Sequence, residues 1–280
     1  MLKIHSFAAV FVLLLIVLLG LAKSSEDKVV FLDVGQGDAI LLQSGVQQVL
    51  VDGGPGMDVL SRLGEEMPWF DRRIEVVVLT HPQRDHMEGL LHVLERYDVG
   101  MVLLPKAVSS TQMQKVWLER IIDKEIPYRF AWNGQELSLG DLKLSIINPF
   151  DTLEAEAASR ANVNNASVVI RADYKEMSFL LAGDIEKRVE KMVIEGVDSE
   201  LLNVDILKVG HHGSKSSSRK ELIDAVSPQM AVISVGGDNK FGHPHEDVLN
   251  RLVDIPVKRT DQGGSVRFRR VNDEWVVFGK

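Results

Sequence analysis

The order of apolar runs along the chain predicts an α/β (α+β) fold: two mixed β-sheets packed face to face with helices on both outer faces, a four-layer αββα sandwich. Two stretches each open with short strands of antiparallel type and continue as alternating strand and helix. No linker divides the two stretches into separate domains. A length of 280 residues, 45% of them hydrophobic and 26% charged, suits one large globular unit with a sizeable core.

The elements follow in order. Strands are predicted at 29–34, 39–43 and 48–51, with Gly35-Gln36-Gly37-Asp38 as the first hairpin turn, which makes a β-meander. A helix over 58–67, stopped by Pro68, leads to a strand over 74–79 and to an amphipathic helix over 86–97 that places Leu90, Leu91 and Leu94 on one face. A strand at 101–104 and a helix at 111–124 come next, then strands at 128–130, 135–139 and 142–147. Residues 155–165 are polar and read as a loop. The second stretch predicts strands at 167–172 and 177–181, a helix at 186–194, and a strand at 204–209. A helix at 219–226, a strand at 230–235 and a helix at 246–253 follow, and strands at Lys258, 266–269 and 275–278 close the chain.

Residues 1–22 stand apart. Lys3 and His5 precede an unbroken apolar run from Phe7 to Leu19, and Gly20-Leu21-Ala22 offers small residues where a signal peptidase cuts. The segment predicts a signal peptide or an N-terminal membrane anchor, with the anchor favoured. Either way, residues 23–280 form a domain exported to the outside of the cytoplasm, on the membrane or secreted. The chain has no cysteine, which excludes disulfides, cysteine lipidation and thiolate chemistry, so any metal must sit on His, Asp or Glu. Net charge is −8, carried by the first three quarters of the chain; residues 208–280 are slightly basic and hold Lys258, Arg259, Arg267, Arg269 and Arg270, a cluster that would meet phosphates or simply be solvated strand faces.

Of eight histidines, six fall in three close pairs, His81/His86, His211/His212 and His243/His245, each after an apolar strand and a turn. Asp52 and Asp184 sit at equivalent strand ends. Rigid strand ends with variable loops are where sites are assembled, and imidazoles and carboxylates gathered there point to a divalent-metal site. A bound metal lowers the pKa of its water from 15.7 to about 7, so no protein nucleophile is needed. The run Ser214, Ser216, Ser217, Ser218 accordingly reads as a helix cap and loop.

Several motifs carry a resemblance: FLDVGQGDAIL (31–41), VDGG (51–54), LTHPQRDHMEGL (79–90), NNASVVI (164–170), LLAGDIE (180–186), DILKVGHHGSKSSS (205–218) and FGHPHEDVL (241–249). From about residue 28 onward the chain resembles the metallo-β-lactamase-fold hydrolases, and within them the hydrolase domain of ComEC-type DNA-uptake (competence) proteins. That family's fingerprint is His-x-His-x-Asp-His. His81, Asp85 and His86 match it, and Gln83 stands where the middle histidine is expected.

By resemblance, Asp184 is the bridging carboxylate, and His211 is the last ligand of a second site made with Asp85, His86 and Asp184; His212 is its alternative. His81, Asp184 and either Gln83 or Asn164 would hold a weaker first site. One or two divalent ions (Zn or Mn) are implied, with the second site filling first and the poorer one preferring Mn²⁺. Asp52 orients a ligand histidine from behind, and Asp38 has a functional role by resemblance. Asp85 orients the metal-bound hydroxide, and His243 and His245 donate to a substrate oxygen or form a structural turn. The implied activity is a metal-dependent phosphodiesterase or nuclease acting on DNA. Hydrolysis of a small ester, lactone or thioester, or a catalytically impaired DNA-binding module, are the alternatives. The resemblance extends to hydrolysis and not to DNA transport, because no polytopic apolar region accompanies it.

Overall fold

Short runs of β-branched and aliphatic residues separated by glycine-bearing turns set the strands, and in most of them both faces are apolar. The computed structural model describes residues 26–107 and 111–279, together with Phe11. The export or anchor segment expected over residues 1–22 therefore lies, Phe11 aside, outside the described residues. Among the described residues no helix is long and apolar enough to cross a membrane.

The strands are β1 (Lys28–Phe31), β2 (Ile40–Ser44), β3 (Gln47–Val51), β4 (Arg73–Val78), β5 (Asp98–Leu104), β6 (Tyr128–Phe130), β7 (Glu136–Leu139) and β8 (Leu142–Asn148). They continue as β9 (Val169–Asp173), β10 (Ser178–Leu181), β11 (Ile206–Lys208), β12 (Met230–Ile233), β13 (Val257–Arg259), β14 (Val266–Val271) and β15 (Glu274–Phe278). One sheet has the order β15-β14-β1-β2-β3-β4-β5-β6 and the other β13-β12-β11-β10-β9-β8-β7. Both are mixed, as predicted. Strands β3 to β6 run parallel in the first sheet and β10 to β13 parallel in the second, while the meanders are antiparallel.

Alternation along the strands builds the layers. Val29, Phe31, Ile40, Leu42, Val49 and Val51 point between the sheets, where Ile170, Phe179 and Leu181 meet them. Their neighbours Val30, Leu41 and Leu50 point outward to Leu63, Leu90 and Leu94 of the covering helices. On the second sheet Val169, Leu180 and Leu207 face Val189, Val193, Leu222 and Val248 in the same way. Three apolar interfaces thus join four layers. Phe179 packs edge-on against Phe268 and Trp275 in the central one, and its truncation to alanine would cost about 3–5 kcal/mol.

One predicted element needs correction. The polar stretch 155–165 is not a loop: Leu153–Ala161 is an α-helix and Val163–Ala166 a 3₁₀ turn. Thr152 caps the helix by accepting from Ala155 N–H at 3.2 Å, and only Ala155 and Ala158 are buried. A stripe of two alanines carries too little hydrophobic periodicity to register in the sequence.

The basic cluster near the C-terminus is engaged internally. Arg267 and Arg269 bond the buried Glu66 at 2.6 and 3.1 Å, Arg270 bonds Glu176 at 3.1 Å, and Arg259 bonds Asp261. Lys258 donates to Gly279 O. These cations are paired within the fold and do not form a free phosphate-binding patch.

The fold brings the carboxyl ends of the parallel strands of both sheets to one edge. Asp52 follows β3, His81 follows β4, Asp184 follows β10, and His211 and His212 follow β11.

Candidate metal centre

Two close backbone approaches assemble the site. The helix Arg84–Arg96 lies against the turn after β3, where Gly53 N–H donates to His86 O at 2.8 Å and Gly89 N–H to Gly54 O at 2.9 Å. A side-chain carbon on Gly89 would stand 1.9 Å from Gly53 O, so only glycine fits. From the other side, Asp38 N–H donates to Asp85 O at 3.2 Å, and a carbon on Gly37 would meet that same oxygen at 2.2 Å. The VDGG and GQGD motifs therefore seat Asp52 and Asp38 beside His86 and Asp85.

Three imidazoles converge on Asp184, and each is fixed in one tautomer by its neighbours. His86 Nδ1–H donates to Asp52 Oδ2 at 2.8 Å. His212 Nδ1–H donates to Ser234 O at 2.9 Å, a carbonyl that can only accept. His81 Nδ1 lies 3.0 Å from Thr80 Oγ1 and 3.2 Å from Ser167 Oγ. Both hydroxyl protons are already committed, Thr80 to Asp52 at 2.6 Å and Ser167 to Asn164 O at 2.7 Å. His81 Nδ1 is therefore the donor. In the neutral form of each ring the lone pair therefore sits on Nε2, and all three Nε2 atoms are buried without a hydrogen-bond partner, as are both oxygens of Asp184.

Acceptors thus face acceptors across short gaps. His86 Nε2 is 3.3 Å and His212 Nε2 3.4 Å from Asp184 Oδ2, and His212 Nε2 is 3.5 Å from Asp85 Oδ2. Unpaired buried acceptors are costly unless a proton or cation lies among them. The titration behaviour expresses the same demand. Burial opposes charging of His212, but Asp184 and Asp38 outweigh it and lift the ring to about 10. His86 is likewise raised, against burial, by Asp184 and Asp52. His81 goes the other way, down to about 3, because burial and the neighbouring His86 both disfavour its charge.

A nitrogen and oxygen donor set of this kind fits a divalent cation, which would displace the protons that otherwise bridge the rings. His81, His86 and Asp184 offer ligand atoms within 4.8 Å of one another, and so do Asp85, His86 and His212. Asp52, His211 and His212 all hold left-handed backbone (φ 59°, 48° and 54°), strain of the kind that concentrates at functional sites.

His212, and not His211, reaches this cluster. His211 turns outward: its Nδ1 is 3.3 Å from Glu186 Oε1, its Nε2 is 3.8 Å from Asp184 Oδ2, and it belongs to none of the candidate ligand groups among the described residues. Two successive left-handed residues rotate the two side chains apart, which adjacency in the chain does not reveal. Asn164 is buried beside His211, its Nδ2 3.4 Å from the ring nitrogens, and so lies at the rim. Gln83 occupies the N-cap position of the helix Arg84–Arg96 and contributes its backbone carbonyl, which accepts from His86 and Met87 N–H at 3.2 and 3.0 Å. His243 and His245 form an outer pair, with the His243 ring 5.6 Å from that of His211.

Four residues at the centre escape the sequence reading of the site. Thr80 and Ser167 hold His81. Lys208, fully buried, contacts Asp38, bonds Gly183 O at 2.9 Å and lies 3.5 Å from Asp184 Oδ1. Ser234 holds His212 through its carbonyl. Only Lys208 leaves a signal, as a lysine closing an apolar strand.

Fold and centre together define a member of a known class. Residues 32–237 match the metallo-beta-lactamase superfamily, and the chain belongs to it, a superfamily of metal-dependent hydrolases. Among curated proteins it is similar to "ComE operon protein 3" of Bacillus subtilis (strain 168), 32% identical over 89% of this chain and 34% of that protein. It is also similar to "Recombination protein 2" of Haemophilus influenzae, 31% identical over 88% of this chain and 29% of that protein. The chain thus spans about a third of the length of these relatives. Among solved structures the metallo-beta-lactamase fold protein YhfI from Bacillus subtilis superposes with a TM-score of 0.57 at 12% identity, covering 86% of this chain and 99% of YhfI, a likeness of fold.

Proposed function

We propose that the chain is a metal-dependent phosphodiesterase that cleaves DNA outside the cytoplasm. The observation that carries this reading is the convergence of three imidazoles, each held at Nδ1, on the buried carboxylate of Asp184, whose Oδ2 has no hydrogen-bond partner. His81, His86, His212, Asp184 and Asp85 would hold a divalent ion, which when bound would supply Lewis acidity and lower the pKa of a water there.

The chain's own groups do the rest. Burial opposes ionisation of Asp85, but His212 and His86 hold its carboxyl well below the usual range, so it stays an acceptor that orients a water proton. His243 is brought down to about 4 by burial and by His211, and at neutral pH it offers an uncharged N–H to a substrate oxygen. An open groove of about 950 Å³ adjoins the centre at Glu186, and among the described residues no carboxylate pairs with its Lys187 and Lys215. Their ammonium groups suit the phosphates flanking a scissile bond. DNA is the favoured polymer because one relative's name speaks of recombination and the chain's motifs resemble those of DNA-uptake proteins. The apolar residues 7–19 support action outside the cytoplasm.

The purified chain, assayed with single- and double-stranded DNA, bis(p-nitrophenyl) phosphate, a lactone and a thioester across Mn²⁺, Zn²⁺ and Mg²⁺, should cleave the phosphodiesters only. Asp85→Ala should abolish this. Turnover of the lactone or thioester alone would reassign the substrate, and DNA binding without cleavage, unchanged in Asp184→Ala, would mark a binding module.

A further inference from the structure

The candidate ligand groups overlap, and their overlap decides how many ions the centre can hold. We propose that it takes one divalent cation per chain, and that the ammonium of Lys208 is built in where a second cation would lie. The inference rests on the metal-centre reading above and fixes its stoichiometry.

Among the described residues, four groups of carboxylates and imidazoles have ligand atoms close enough to share an ion: His81–His86–Asp184, Asp85–His86–His212, Asp38–Asp184–His212 and Asp38–Asp52–His86. The last is closed by hydrogen bonds. Asp52 Oδ1 accepts from Thr80 N–H at 2.7 Å, and its Oδ2 accepts from the Thr80 hydroxyl at 2.6 Å and from His86 Nδ1–H at 2.8 Å. Asp52 Oδ2 then has both lone pairs engaged, and His86 Nδ1, as a donor, has none to offer an ion in this group.

The third group already holds a positive charge. Lys208 is completely buried, contacts Asp38 Oδ2, and stands 3.5 Å from Asp184 Oδ1. Its third contact is Gly183 O at 2.9 Å. An ammonium has three N–H donors, and here three oxygens surround it. Burying a lysine this deeply is unfavourable unless its charge is paired, and two carboxylates pair it.

The first two groups remain, and they share His86. With Nδ1 given to Asp52, His86 has only Nε2 to offer, and a single lone pair serves one ion. Whichever group takes that lone pair, the other keeps only two protein ligands, His81 with Asp184 or Asp85 with His212, too few for a second tight site, so the two act as one centre. Asp184 then turns Oδ2 toward that centre and Oδ1 toward Lys208. Its bridging role is kept, with the lysine as one of the bridged cations. Gln83, at the position where the family fingerprint has an imidazole, brings no further nitrogen ligand of that kind.

The test counts metal without reference to turnover. The intact protein is stripped with EDTA, dialysed, and titrated with Mn²⁺ and with Zn²⁺ by calorimetry and elemental mass spectrometry, with electron paramagnetic resonance on the Mn²⁺ form. The wild type should bind one ion of either metal and show no spin-coupled Mn²⁺ pair. Lys208→Met should admit a second Mn²⁺ on the oxygens of Asp38, Asp184 and Gly183, with a coupled pair appearing, while Zn²⁺, which favours nitrogen and sulfur ligands, stays at one.

Two ions or a coupled pair in the wild type would overturn the inference while leaving the metal-centre reading intact. A Lys208→Met protein that still binds only one Mn²⁺ would do the same. A wild type that binds no ion would overturn both. Should Lys208→Met fail to fold, the wild-type count and its resonance spectrum decide the matter.

Discussion

His212 and His211 are neighbours in the chain and share a left-handed backbone, yet they occupy different chemical environments. His212 is buried, held at Nδ1 by Ser234 O, and presents a partnerless Nε2 to Asp184 and Asp85. His211 is partly exposed, lies beside Glu186 and Asn164, and has no anchoring carbonyl. The same contrast separates His81 and His86 from His243 and His245. What marks an inner imidazole is an accepting partner behind Nδ1 and burial in front of Nε2. Such a partner orients the ring and sets its tautomer before any cation arrives.

The largest test of that contrast removes each ring in turn. His212→Ala should lower metal affinity by more than about 100-fold, beyond the roughly 10–100-fold worth of an outer hydrogen-bond partner, while His211→Ala stays within about threefold of wild type. Metal titration by calorimetry checks both, and equal losses would erase the distinction.

A subtler change leaves the rings and alters what lies behind one of them. Asp52→Asn keeps the shape but exchanges a carboxylate for a neutral amide behind His86 Nδ1, and should weaken metal binding by about 10–100-fold. An unchanged affinity would show that orientation from behind does not matter here.

For the outer pair the expected effect is smaller and kinetic. Because His243 is uncharged at neutral pH, His243→Gln should reduce kcat by less than the roughly 10²–10⁴-fold supplied by a general acid, with metal content intact. Loss of bound metal in this variant would place His243 in the inner group.

A separate effect, on folding stability and not on metal or turnover, concerns the loop behind His212. Glu190 accepts from Ser218 and Arg219 N–H, and burial pushes its carboxyl up from 4.5 to about 7. The folded state therefore holds this proton more tightly than the unfolded chain. Its contribution is fully present below about pH 4.5 and is lost as pH rises through about 7, up to about 3 kcal/mol in all. Urea unfolding from pH 5 to 8 should show this decline in the wild type, and a flatter profile in Glu190→Gln. Parallel profiles would remove Glu190 as the cause.

Much of the architecture is legible from residue order, because strands buried on both faces must be apolar throughout and glycine turns must separate them. The helix Leu153–Ala161 is not, since its contact with the body is two alanines and its stability comes from a Thr152 cap and local propensity. The centre divides along the same line. Residues 79–86, Asp52 and Asp184 announce themselves because chemistry demands particular side chains at strand ends. The choice between His211 and His212, the closing of Asp52 by Thr80, and the placement of Lys208 between Asp38 and Asp184 belong to the folded molecule alone. Each depends on rotation about a backbone bond or on a contact between distant segments, and residue types in a row carry neither.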